Sequence, residues 1–463
     1  MKIPRFILAG THGGVGKTTV TVALLAFFKS RGYDVRPYKA GPDFIDPSYH
    51  NFITNKPSRN LDSFMMSKET ILKNFIVSSK GGDIAVIEGV MGLYDSISGK
   101  EAIGSTADIA KITKSPVILI LDATKITRSI AAIIMGFQKF DPEIKIAGVI
   151  VNKVRTERQS SKIKEAIEYY TKVPVIGIIP KNEKMTLTQR YLGLVPVAEA
   201  LTNDLHKISN FVCSYLDLNK LLDVAKSAEE LPEVPTSVLE NTFSYGKLKI
   251  GVIYDRAFNF YYPENLELLQ KSAQLQILDS TKVRKLPNDL SGLCIGGGFP
   301  EFFVKELEAN VSLRNSIYDA ANNGMPIYAE CGGLMFLGNS IVNLNNEEFK
   351  MVGFFDYKTI MHSRPQALGY VEAVVEKKNL ISKPGDIIKA HEFHYSKIIG
   401  NWNKFTFAYK LRRGKGINGK DGIIEKNVLA SYLHVHASSC PDMIKNFMNA
   451  VNLFSQEKFK KEK

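Results

Sequence analysis

The sequence predicts an α/β protein made of two consecutive α/β domains. Three observations carry that reading. Residues 4–180 repeat one pattern: a short β-branched run, a loop, then an amphipathic stretch. A glycine loop ending in Gly-Lys-Thr-Thr joins the first run to the first amphipathic stretch, and a second α/β pattern opens at Leu248 after the periodicity lapses. The length of 463 residues agrees, since domains run to ~100–200 residues.

In order, the strand candidates of the first half are Arg5–Ala9, Asp34–Lys39, Asp83–Glu88, Pro116–Asp122, Ile146–Asn152 and Val175–Pro180. Helix-period stretches such as Val20–Lys29 and Lys162–Tyr170 separate them. Apolar strands alternating with helices imply a mainly parallel sheet covered on both faces. Residues 225–246 lose the periodicity and gather Pro, Glu, Ser and Thr, which reads as a linker. Strands then follow at Leu248–Tyr254, Gly292–Ile295, Pro326–Ala329 and Val428–Tyr432. The expected division is a first domain over 1–224, a linker over 225–246, a second domain over 247–446 and a basic tail over 447–463. The charge run Lys458–Lys463 reads as a frayed, solvated end.

Composition narrows the function. Hydrophobic residues are 44% and charged residues 23%, the balance of a globular chain with a core rather than a disordered or fibrous one. No apolar run reaches the ~20 residues of a membrane span, and the start lacks a secretory pattern because its apolar stretch leads straight into a glycine loop. Cys213, Cys294, Cys331 and Cys440 form no CxxC pair, so reduced thiols in the cytoplasm are expected. Sixty basic residues against 47 acidic give +13, which suits nucleic acid, acidic membranes or polyanionic small molecules. One Trp and no basic–aromatic motif argue against nucleic acid.

The glycine loop reads Gly10-Thr-His-Gly-Gly-Val-Gly-Lys17-Thr18-Thr19. A strand, such a loop and a helix N-terminus present several N–H groups and the positive helix end to phosphate. Gly10, Thr11, Gly14, Gly16 and Thr19 would cradle ATP; Lys17 would reach the β- and γ-phosphates, and the Thr18 hydroxyl would hold Mg²⁺. Five residues, not the usual four, separate Gly10 from Gly16-Lys17, with Thr11 where the first glycine would stand.

Lys39 ends the second strand candidate and precedes Asp43 and Asp46, while Glu88 ends the third and opens a loop to Asp95. Carboxyl ends of parallel strands line the ligand crevice. One cation and up to four carboxylates would thus face the γ-phosphate, which makes sense with Mg²⁺ between acids and phosphates. Asp43, Asp46 and Asp95 also suit turns and caps beside Pro and Gly. Asn152 fits either a contact to adenine or an exposed loop.

In the second half, Ile327-Tyr-Ala-Glu-Cys331-Gly-Gly places Cys331 between a strand and a helix. That turn aims the sulfur outward beside a helix N-terminus, which favours thiolate. About a hundred residues on, His434 ends another strand candidate. A cysteine and a distant histidine are the nucleophile and base of acyl transfer from an amide. Gly297 and Gly298 would supply an oxyanion hole with the Gly332 N–H. Cys213 and Cys294 read as core.

The loop spacing resembles dethiobiotin synthetase and the partition-type ATPases, although His12 replaces the second lysine of the latter. Both halves together resemble the cobyrinic acid a,c-diamide synthases, relatives of cobyric acid synthase, from about Lys2 to Asn446. Further resemblances are Ser58-Arg-Asn-Leu-Asp62, Arg190-Tyr-Leu-Gly-Leu-Val195, Ala257-Phe-Asn-Phe-Tyr-Tyr262 and His391-Glu-Phe-His-Tyr-Ser396. The resemblance implies a P-loop dethiobiotin-synthetase-like domain followed by a class I glutamine amidotransferase-like domain. It implies two corrin-ring carboxylates, c and a, amidated through acyl phosphates with ATP, Mg²⁺ and L-glutamine. The substrate would be a tetrapyrrole polycarboxylate, with monomer and homodimer both open.

By similarity, Lys39 offsets charge at the γ-phosphate, Asp43 and Glu88 join Thr18 at the metal, and Asp43, Asp46 and Asp95 position substrate and intermediate. Many class I glutaminases carry Glu two residues after the catalytic His, where this chain has His436. Ser96 also stands where glycine is expected. The same motifs serve nickel-sirohydrochlorin a,c-diamide synthase, which leaves the ring open, and a partition-type ATPase or a glutamine sensor is the reading of another class. His391 and His394, three apart, do not make a helical zinc pair and suit a substrate-side or structural place.

Overall fold

The computed structural model describes residues 2–182, 198–233, 246 and 248–461. The Arg190–Val195 motif and most of the expected linker lie outside them. The chain divides into two compact units, Met1–Ser237 and Val238–Lys463.

The first unit is one sheet of β1 (Arg5–Gly10), β2 (Val35–Ala40), β3 (Arg59–Leu61), β4 (Ile84–Glu88), β5 (Val117–Asp122), β6 (Ile146–Val154) and β7 (Val175–Pro180). Its order is β3-β2-β4-β1-β5-β6-β7, and every neighbouring pair is parallel. Phe6, Ile7, Leu8 and Ala9 are all buried, the continuous apolar run of a strand covered on both faces. Helix α1 (Lys17–Ser30) buries Val20, Ala23, Leu24 and Phe28, the spacing of one helical stripe. Helix α2 (Ile45–Thr54) follows β2. In register, Glu88 pairs with Leu8 on one side and Lys39 on the other. The carboxyl ends of β1, β2 and β4 thus meet at one place.

The first unit also extends beyond residue 224. A helix over Leu218–Lys226 runs into the expected linker, and Ala225, Ala228 and Leu231 are buried. The fully buried Arg5 guanidinium explains why, donating to the carbonyls of Ile3, Thr113, Lys114 and Glu229.

The second unit holds β8 (Lys249–Ile253), β9 (Gln274–Leu278), β10 (Gly292–Ile295), β11 (Ile327–Glu330), β12 (Gly338–Val342), β13 (Glu348–Lys350), β14 (Phe355–Met361), β15 (Ala367–Val375), β16 (Ile387–His394), β17 (Ser396–Gly400), β18 (Thr406–Arg413), β19 (Lys420–Glu425) and β20 (Val428–Ser431). Its larger sheet runs β16-β15-β18-β19-β20-β11-β10-β8-β9, and β13-β12-β14-β17 form a smaller one. From β9 to β20 the larger sheet is parallel, and from β20 to β16 it is antiparallel.

The stretch expected as a tail is instead the body of a helix over Met443–Lys461. Phe447, Met448 and Val451 are buried, and a Cβ on Gly292 would meet Val451 at 2.8 Å, so this glycine lets the helix lie against β10. Among the described residues, no helix is long and apolar enough to cross a membrane.

Candidate active sites

Each unit gathers one reactive cluster. In the first, the glycine loop turns from β1 into α1 with Gly14 and Gly16 at positive φ, +79° and +100°. A Cβ on Gly10 would meet Val15 at 2.7 Å and Lys17 Nζ at 3.1 Å, so the loop folds back over its own first residue. Lys17 Nζ donates to Met91 O at 2.5 Å, and Leu93 N donates to Gly10 O at 2.8 Å, which ties the loop after β4 to the glycine loop. Burial and the nearby Lys39 lower the Lys17 pKa. Asn152 Nδ2 donates to Val15 O at 2.9 Å, and Lys153 Nζ to Gly14 O at 2.8 Å, so both brace the loop.

Below the loop, Thr18 Oγ1 donates to Glu88 Oε1 at 2.7 Å. Lys39 Nζ contacts Glu88 Oε1 at 3.1 Å, Asp43 Oδ2 at 3.6 Å and, closer still, Asp46 Oδ2. Burial opposes the Lys39 charge, but Asp46, Glu88 and Asp43 more than offset it and hold its pKa above the ordinary lysine value. Burial likewise opposes ionisation of Glu88, yet Lys39 and the His50 hydrogen bond keep its carboxylate below the usual range. Burial and the neighbouring Glu88 charge push Asp46 up, against the pull of Lys39.

Two expected members keep one oxygen toward the lysines' field while the other oxygen caps a turn. Asp43 Oδ1 accepts from Ile45 N at 2.7 Å, the cap of a turn, and Asp95 Oδ2 accepts from Gly92 N at 2.7 Å inside its own loop. One member is new. His50, fully buried, approaches Glu88 Oε2 at 2.9 Å and Ser58 Oγ at 3.0 Å. Its signal was its place four residues after Asp46, on the same helix face.

In the second unit, Cys331 joins β11 to a six-residue helix with φ 44° and ψ −94°, a strained turn for a non-glycine residue. Cys331 N donates to Ser431 O at 2.7 Å, and the sulfur approaches Phe393 O at 3.6 Å. The backbone of His434 exchanges hydrogen bonds with His391 in both directions, at 2.8 and 3.2 Å. A Cβ on Gly297 would fall 2.3 Å from His434 Cε1, and one on Gly332 would fall 3.1 Å from Gly298 N. The glycines thus form the wall on which the imidazole rests and bring Gly298 N beside Gly332.

The expectation of a favoured thiolate fails. Burial, reinforced by Glu301 and Glu330, pushes the Cys331 thiol above its ordinary value, and the Gly332 N–H offsets only part of this. Six residues of helix do not outweigh lost solvation, so the resting group is a thiol that needs a base.

His436 lies elsewhere: its Nε2 is 3.4 Å from Glu264 Oε2 and its Nδ1 accepts from Ser438 N. His391 and His394 are both buried. Burial lowers them to about 3 and about 4, and His394 stacks on Tyr432 at 3.6 Å.

Residues 6–192 match the CobQ/CobB/MinD/ParA nucleotide binding domain, and residues 249–441 match the CobB/CobQ-like glutamine amidotransferase domain. The chain is 44% identical over 453 residues to a cobyrinate a,c-diamide synthase of Archaeoglobus fulgidus, covering 97% of each. The chain belongs to the cobyrinate a,c-diamide synthase family. A second member, from Methanobrevibacter smithii, is 45% identical over 95% of this chain and 97% of its own. A third, from Caldanaerobacter subterraneus, is 40% identical over 98% and 99%. Family membership thus spans both clusters within one chain, the glycine loop with its acids and the turn at Cys331.

Proposed function

We propose that this chain is a ligase that amidates the c and a side-chain carboxylates of cobyrinate in cobalamin biosynthesis, using ATP and glutamine nitrogen. The observation that supports the proposal is that one chain, covering 97% of a family member, holds a glycine loop with its lysine and acids and, in its second unit, a cysteine on a strained strand-to-helix turn. A carboxylate is a poor electrophile. Its oxygen therefore attacks the γ-phosphorus of ATP, ADP leaves, and an acyl phosphate forms. Gly10, Thr11, Gly14, Gly16, Lys17 and Thr19 hold the nucleotide, and Lys39 offsets the charge that gathers at the γ-phosphate. Asp46 and Glu88 orient the substrate carboxylate and the intermediate.

Mg²⁺ fits the cluster in a limited way. Among the described residues, no three His, Cys, Asp or Glu side chains form a cation site by themselves. Mg²⁺ commonly takes one or two protein oxygens beside phosphate and water. Thr18 and Glu88, with oxygens 2.7 Å apart, offer those, and Thr18 also reaches Asp46 Oδ1 at 3.3 Å. Bound there, the ion would neutralise phosphate charge.

In the second unit His434 takes the Cys331 proton, and the sulfur attacks the glutamine amide carbon. The N–H groups of Gly298 and Gly332 face the oxyanion. The imidazolium returns its proton to the departing ammonia, and water then hydrolyses the thioester to glutamate. Ammonia displaces phosphate from the acyl phosphate to give the amide.

The test incubates the protein with Mg-ATP, glutamine and either cobyrinate or nickel-sirohydrochlorin, and follows product mass. Two hydroxyl-to-amino exchanges on cobyrinate, each with one ADP, are expected. Turnover of nickel-sirohydrochlorin alone would replace the corrinoid, and turnover of neither would end the proposal.

A further inference from the structure

We infer that Glu330, the residue before the nucleophile, is the positioning residue for His434 and completes a Cys331–His434–Glu330 relay. The inference rests on the amidotransferase reading above. The place two residues after the histidine, where a glutaminase of this class commonly keeps its carboxylate, holds His436, which pairs with Glu264 instead. Glu330, the last residue of β11, reaches His434, which follows the end of β20. Its Oε2 lies 3.6 Å from His434 Nδ1, with both side chains buried.

Its other oxygen is anchored: Oε1 accepts from Tyr328 OH at 2.5 Å and from Val435 N at 3.0 Å. Tyr328 and Glu330 alternate with Ala329 and Cys331 along β11, so the carboxylate and its anchoring hydroxyl share a face. Burial raises the Tyr328 pKa strongly, so it remains a donor. Val435 follows His434, so one carboxylate grips both the ring's neighbour and the ring's own side.

A separation of 3.6 Å is too long for a hydrogen bond and short enough to become one. Such contacts tighten as the reaction complex forms. When His434 accepts the thiol proton on Nε2, its Nδ1–H faces Glu330 Oε2, and the new positive charge meets a fixed negative one. Neutralising Glu330 therefore slows the step that makes the imidazolium and leaves the binding of glutamine alone.

The test measures glutamine-supported and ammonium-supported amidation for Glu330→Gln, Glu330→Asp, His434→Ala and the double variant Glu330→Gln/His434→Ala. Glu330→Gln is expected to lower kcat with glutamine at least tenfold, up to the ~10⁴-fold seen when the buried aspartate of a Ser-His-Asp triad is neutralised. KM for glutamine stays within about twofold, and the double variant is no slower than His434→Ala, because residues acting as a unit are not additive. Glu330→Asp, which keeps the charge, recovers part of the loss. Wild-type kcat in Glu330→Gln, or a further additive loss in the double variant, overturns the inference. Should Glu330→Gln not fold, Glu330→Asp and Tyr328→Phe decide: both must lower kcat with KM unchanged, and wild-type kcat in both overturns it. Cys331→Ser separates the two levels. If it fails to lose glutamine use, the amidotransferase reading falls; if it loses it while Glu330→Gln is wild type, the Glu330 assignment alone falls.

Discussion

Gly297→Ala is a test of the imidazole's seat worked directly from distances. The backbone there has no positive φ, so alanine meets no conformational penalty, and the effect comes from one methyl group. That methyl would stand 2.3 Å from His434 Cε1 and 3.2 Å from its Nδ1. Carbon pairs settle at ~3.5–4.0 Å, so the ring must retreat by more than ~1 Å. His434 cannot readily retreat with its backbone, whose N–H and C=O are both bonded to His391. The ring must therefore rotate out of its resting position. A misplacement of ~1 Å costs ~10²-fold in rate, or about 2.7 kcal/mol in barrier. Overpacking removes about 1–3 kcal/mol of stability, small enough for the protein to remain folded at assay temperature. The assay is an amidation time course with glutamine and then with high ammonium salt, beside a melting curve. Glutamine-supported turnover should fall about a hundredfold while ammonium-supported turnover holds. Gly99→Ala, where a Cβ meets nothing within 4 Å, is the control and should match wild type. A folded Gly297→Ala protein with glutamine use within about threefold of wild type would refute the geometry from which this ~10²-fold loss is reasoned.

Lys17→Ala should stop amidation from either nitrogen source while glutamine hydrolysis continues, which ADP and glutamate release measure separately. Glu88→Gln and Asp46→Asn keep volume and disturb the charges around Lys39, so turnover should fall at least tenfold, on the order of losing a charge-stabilising group, with melting curves run in parallel to show that the variants stay folded. His436→Ala should cost stability through the loss of its pairing with Glu264, yet keep glutamine-supported turnover. Asp421 is buried and pushed up to about 7 by desolvation. The folded state thus holds its proton more tightly than the unfolded chain, so this stabilisation is complete below pH ~4 and is lost as pH rises to ~7. Denaturant titrations of Asp421→Asn across that window should show a flatter decline than wild type.

Most parallel strands were legible as short apolar or β-branched runs: β1, β2, β4 to β7, β8, β10, β11 and β20 fall where the sequence placed strands, while parallel β9, interrupted by Gln274 and Gln276, was missed. The antiparallel strands were missed for the opposite reason. β14 alternates buried and exposed residues from Phe355 to Met361, and β18 ends in Lys410 to Arg413, so neither reads as an apolar block. β3 is three residues long and carries no periodicity. The loop Gly10–Thr19 and the turn at Cys331 were legible because local backbone demands select their residues. His50 was not, since a histidine four residues from an acid is ordinary helix sequence until β4 brings Glu88 beside it. Glu330 was hidden by its neighbour: adjacency to Cys331 suggests nothing until the sheet delivers His434 from a hundred residues away. The thiolate expectation failed because sequence shows a helix start but not the burial around it.

The buried guanidinium of Arg5 has a consequence for synthesis. It is among the first residues made, yet one of its carbonyl acceptors belongs to Glu229. During translation the first unit can assemble its sheet, but it leaves a buried cation short of one acceptor until that residue clears the ribosome. Completion of the first unit is therefore timed to the chain's midpoint, when the second unit has barely begun to emerge. An expression fragment cut at residue 224 would reproduce that unfinished intermediate permanently, whereas one cut after residue 233 would carry its own last acceptor.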